Sequence, residues 1–61
     1  MARWVNSNGD TIETTGTTYV VTEKGISRNS DISKWSSNAE QWIENDIKAG
    51  YYQGFKKLEV K

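Results

Sequence analysis

The residues best suited to chemistry lie near the end of the chain. Gly50-Tyr51-Tyr52-Gln53-Gly54-Phe55-Lys56-Lys57 interleaves aromatic rings with positive charge. Proteins that hold single-stranded nucleic acid use this composition, stacking bases on the rings and neutralising phosphate with the cations. On that reading Tyr51, Tyr52 and Phe55 would stack, and Arg3, Lys56 and Lys57 would meet the backbone. The whole-chain charge argues the other way. Eight Lys plus Arg balance eight Asp plus Glu in 61 residues, whereas most nucleic-acid modules carry a basic excess. The competing expectation is that Tyr51, Tyr52 and Phe55 pack beneath the end of a helix while the lysines keep an edge strand soluble.

Three tryptophans are a dense supply for a chain with one Phe and one Met. Tryptophan is enriched at binding hot spots and is also the largest core filler. Trp35 and Trp42 stand seven residues apart, as two layers of one apolar helix face would, and are expected in the core. Trp4 lies on the opposite strand face from Val5 and could stand on the outer side of a sheet, available to a partner. Asp46 falls inside the apolar sector of the same helix. An unpaired carboxylate is costly there, so Asp46 is expected either to stay wet or to meet a Lys or Tyr hydroxyl from the last segment, the alternative being a role in binding a partner.

Other chemistries are poorly supplied. The chain has no His and no Cys, which removes the usual proton shuttle, the thiolate nucleophile and the nitrogen and sulfur metal ligands. The glycines at 9, 16, 25, 50 and 54 have neither phosphate-cradling nor dinucleotide spacing. No loop shows the alternating acids of a calcium site. The expectation is a protein that is not an enzyme and takes no cofactor or metal.

Two stretches carry different patterns. Val5, Ile12, Tyr19, Val20 and Val21, together with all the threonines, fall in the first 24 residues and suit pleated strands. Asn8-Gly9-Asp10 can turn a hairpin between Arg3–Asn6 and Thr11–Thr15. Gly16 can supply a second turn into a third strand, Thr17–Glu23, with Tyr19 and Val21 on one face and Val20 on the other. Lys24–Asn29 reads as a connecting loop. From about Asp31 to Ala49 the periodicity is helical, with Ser30 as N-cap and Gly50 closing the C-terminus. Ile32, Trp35, Ala39, Trp42, Ile43, Ile47 and Ala49 fall in a sector roughly 160° wide. A final strand is expected where Leu58 and Val60 alternate with charge.

These elements predict one α+β domain over residues 1–61, in the order β-β-β-α-β. A three-stranded meander and a C-terminal strand would form an antiparallel sheet with one amphipathic helix packed on it. A chain this short has a marginal core, and without Cys or His it must rely on dense aromatic packing or self-association. The leading functional expectation is a non-catalytic interaction module, accessory or inhibitory. It would bind a larger protein through an exposed sheet face or edge and through Trp4, Tyr51, Tyr52 and Phe55, and it could form a homodimer. The alternative is the weak single-stranded nucleic-acid binder described above. No membrane-spanning or secretory run is present, and a cytoplasmic location is expected.

Overall fold

The computed structural model describes residues 1–58. Among them a five-stranded antiparallel sheet has the order β4-β3-β2-β1-β5. Its strands are β1 (Ala2–Val5), β2 (Thr11–Thr15), β3 (Thr18–Glu23), β4 (Ile26–Asp31) and β5 (Lys56–Leu58), and α1 (Ala39–Lys48) intervenes between β4 and β5. The α+β class is as expected, with a sheet packed on one helix. The meander, however, has a fourth strand where a loop was expected.

The fourth strand follows from the turn before it. Lys24 and Gly25 have φ of 53° and 81°, and positive φ at both central residues is what a two-residue hairpin needs to match strand twist. The chain therefore reverses at once and pairs Ile26–Asp31 with Thr18–Glu23 along its whole length. The turns at Asn8-Gly9-Asp10 and Gly16 form where expected. At the first, Asn6 Oδ1 accepts from the N–H groups of Asn8 and Asp10 at 3.0 and 2.9 Å.

Register assigns each side chain to a face. Trp4 lies opposite Ile12 on one side and Lys57 on the other, and Ile12 in turn lies opposite Val21, which lies opposite Arg28. This row faces the helix. The neighbouring row on the same face contains Ala2, Thr14, Tyr19 and Ser30. Tyr19 and Val21 thus share a face, with Val20 on the other. Trp4 points inward: it is 2% exposed, in a cluster with Ala2, Ile12, Val21, Ile43 and Phe55. Buried Thr14 ties down the start of β1, accepting from Ala2 N–H at 3.1 Å.

The helix begins later than the periodicity suggested. Asn38 is the N-cap, its side chain accepting from Gln41 N–H at 3.1 Å. Ser30 is a strand residue opposite Tyr19. Asp31, expected to open the helix, instead accepts from Ser33 N–H at 2.9 Å, and Ser36 and Asn38 bond one another's groups. Such short polar side chains compete with helical hydrogen bonds and favour turns, so residues 32–37 form a turn. Ile32 is buried there while Trp35 is 69% exposed, its ring 6.5 Å from that of half-buried Trp42. The expected core role of Trp35 is therefore corrected. With residue 35 outside the helix, the seven-residue spacing no longer places it on the face of Trp42.

The C-terminus of the helix ends as expected. Gly50 has φ 98°. Its N–H reaches the Ile47 carbonyl, and Tyr51 N–H reaches that of Asp46, at 3.2 and 3.0 Å, the paired bonds of a Schellman close. Within α1 the buried residues are Ala39 and Ile43, and the helix lies over β2. Val60, expected to alternate with Leu58, lies outside the described residues.

Candidate docking edge and flanking depression

The structure separates the residues singled out for stacking. Phe55 is 8% exposed in the core cluster, and Tyr52 packs half-buried against that cluster. Their rings meet edge-on at 6.1 Å. Tyr51 alone of the three is open, at 65% exposure. Trp4 and Phe55, expected as contact residues, offer no surface to a partner, because each fills the space between sheet and helix.

The cations divide between the two faces of the sheet. Arg3 lies opposite Leu58 and Val5 opposite Lys56, on the face away from the helix, while Lys57 lies beside Trp4 on the helix side. The Lys57 ammonium bonds the Glu40 carboxylate, lies 3.6 Å from that of Glu44, and sits 5.8 Å from the Trp4 ring centre. Its hydrogen bond to Glu40 raises the Lys57 pKa and lowers that of Glu40. Lys57 thus fastens β5 to α1. Of the residues in the nucleic-acid expectation, Phe55 is buried and Lys57 is engaged by Glu40 on the face opposite Arg3 and Lys56, so the full set does not act together.

A different feature stands out at the opposite side of the sheet. The outer edge of β4 pairs with nothing among the described residues. Ile32 N–H donates to the Thr17 carbonyl at 2.9 Å, which sets the antiparallel alternation along β4. Ile26, Arg28 and Ser30 turn their backbone groups toward β3, whereas Ser27, Asn29 and Asp31 turn theirs outward. The two edges of the sheet are unlike. β5, described over Lys56–Leu58, carries Lys56 and Lys57, the charged form with which proteins protect an edge. β4 has six residues, Ile-Ser-Arg-Asn-Ser-Asp, with no proline or lysine to block pairing. Nearly every position on it is exposed.

Because α1 lies over β2, the helix side of β3 and β4 is left partly open. A shallow depression of about 220 Å³ is lined there by Tyr19, Val21, Glu23, Arg28, Ser30 and Tyr52. A second, of about 240 Å³, continues past Glu23 and Arg28 to Lys24 and Ile26. Both are smaller than typical small-molecule pockets, which begin near ~300 Å³. They can receive one side chain each. Sequence reasoning missed this edge because a strand exposed on both faces has no apolar alternation; the Lys24-Gly25 pair was the available signal.

No protein-family model matches the chain, no curated protein matches it, and no solved structure matches it. The functional reading therefore rests on the edge and the depression beside it.

Tyr52 marks the inner end of the depression. Burial, and then the neighbouring Tyr19, Asp46 and Glu23, push its hydroxyl up from 10.0 to about 12. Asp46, half-buried near Tyr52, is the carboxylate that interrupted the helix's apolar sector. A phenol that titrates later in the fold than in the unfolded chain contributes stability that is complete below the unfolded value and disappears as pH rises through the folded one. Stability should fall between pH 10 and 12, by about 1–2 kcal/mol after allowance for solvent screening. Urea unfolding across that range should show the loss. Tyr52→Phe should flatten this part of the profile, and an unchanged profile in the variant would rule out Tyr52 as its source.

Proposed function

We propose that this chain is a non-catalytic interaction module that docks a larger protein by accepting one of its extended segments along β4. Backbone hydrogen bonds from Ser27, Asn29 and Asp31 would hold the segment, as in other cases of strand addition. Alternate side chains of the segment would drop toward the depression lined by Tyr19, Val21, Arg28, Ser30 and Tyr52. Val21 and the two tyrosine rings favour an apolar side chain, and Glu23 and Arg28 on the rim supply one charge of each sign. The carrying observation is the β4 edge, six residues long, almost wholly exposed and free of proline and lysine, set against a lysine-bearing edge at β5.

Selection of linear peptides from a displayed library, followed by amide hydrogen exchange on the selected complex, tests the reading. Protection should appear at Ser27, Asn29 and Asp31. Asn29→Pro should weaken the peptide at least tenfold while keeping the fold, because the amide it removes points away from β3 and proline is tolerated at such edge positions. Ser30→Pro should instead damage the fold, since that amide bonds within the sheet. Peptides that bind Asn29→Pro undiminished, or that protect only residues near Tyr51, would overturn strand addition.

A further inference from the structure

We infer that β4 also pairs with β4 of a second copy about a two-fold axis at Asn29, joining two sheets into one. This rests on reading β4 as a docking edge and goes further by naming an occupant.

Outward-facing residues must pair with outward-facing ones in an antiparallel ladder, so only a few registers are open. A two-fold at Arg28 would set two guanidinium groups directly opposite each other, which is unfavourable. A two-fold at Ser27 or Ser30 would leave much of the strand unpaired. With the axis at Asn29, Asn29 faces its own copy, Ser27 faces Asp31 of the second copy, and Arg28 faces Ser30 of the second copy. That register uses the whole strand and forms about six backbone hydrogen bonds.

The exposed apolar residues agree with this register. Ile26 is 63% exposed at one end of β4, and Trp35 is 69% exposed on the turn that follows the other end. The Asn29 axis puts Ile26 opposite Ile32 of the second copy, where the turn carrying that copy's Trp35 begins. The axis is perpendicular to the sheet, so both helices lie on one side and the two depressions adjoin. Charge does not oppose the pairing, since the chain has a formal net charge of zero and near-neutral proteins associate readily. The thin core adds a reason for association. The large side chains sealed within it are few, and small chains without disulfides or metals commonly gain stability by oligomerising. A single edge buries an area at the low end of specific interfaces, below about 1,200 Å² in total. The pairing is therefore expected to be weak and concentration-dependent.

Sedimentation equilibrium of the full chain over a concentration series tests the proposal. A monomer–dimer equilibrium is expected, with the dissociation constant raised at least tenfold by Asn29→Pro. Ile26→Asp provides the same test at an exposed side chain, in case the proline variant does not fold. Register is read separately. The chain has no cysteine of its own, and facing residues in such a pair lie about 5.5 Å apart, within disulfide range. On oxidation, Asn29→Cys should cross-link to dimers and Ser27→Cys should not. A dimer indifferent to both edge substitutions, or cross-linking through Ser27→Cys instead, would overturn the inference. So would a chain that stays monomeric at millimolar concentration. If that monomer still bound a selected peptide at β4, the docking reading would survive the failure of the dimer; if it bound none, both would fall.

Discussion

Replacing Trp4 with alanine is expected to cost about 3–5 kcal/mol, the largest loss of any single substitution considered. The indole is 2% exposed and lies between Ile12 and Lys57 across the sheet. It is the largest of the fully buried side chains, a group that also includes Ile12, Ile43 and Thr14. A domain holds roughly 0.05–0.15 kcal/mol of stability per residue, so a chain of 61 residues has about 3–9 kcal/mol in total, and this one truncation removes a large share of it. The Lys57 ammonium over the ring would also lose its aromatic partner. Trp35→Ala gives the contrasting case. Its ring is mostly in water and touches the fold chiefly through Trp42, so the loss should stay within about 1 kcal/mol. Urea unfolding of the two variants decides between them, and a larger loss for Trp35→Ala would contradict the core described above.

The contrast between these indoles shows how far the sequence could be read. The three N-terminal strands were legible because Thr, Val and Ile alternate between turns that glycine marks. Gly50 showed where the helix stops because a left-handed residue there has few alternatives. The helix start was not legible. Ile32 and Trp35 continue the apolar spacing of α1, and nothing in periodicity alone shows that Asp31, Ser36 and Asn38 will spend their side chains on turns. The position of Trp4 depended on which face α1 would cover, a tertiary choice that strand alternation leaves open. The docking edge was hidden for a related reason. Ile26-Ser27-Arg28-Asn29-Ser30-Asp31 looks like a loop because neither of its faces is sealed, and only its partner, Thr18–Glu23, makes it a strand.

Ile43→Ala should have the second largest effect, about 2–5 kcal/mol, and should remove α1 and the sheet together. Ile43 has no exposed surface and with Ala39 forms the fully buried side of α1, flanked by half-buried Trp42 and Ile47. The helix is ten residues long, shorter than the ~12–15 residues at which isolated helices become even marginal in water. Its stability is therefore borrowed from the sheet, chiefly through that side chain. The dependence runs in both directions. Without α1, Trp4, Ile12 and Phe55 lose the layer above them, and β5 loses the Glu40 and Glu44 carboxylates that hold Lys57. Circular dichroism and tryptophan emission should then report one coincident transition. Asn38→Ala, which removes only the cap, should cost about 1 kcal/mol, and Gln41→Ala on the solvent side about 0.5 kcal/mol or less. An Ile43→Ala protein that lost its helix but kept the sheet would show that the strands stand without their cover. The core would then lie within the ribbon of strands and not between ribbon and helix.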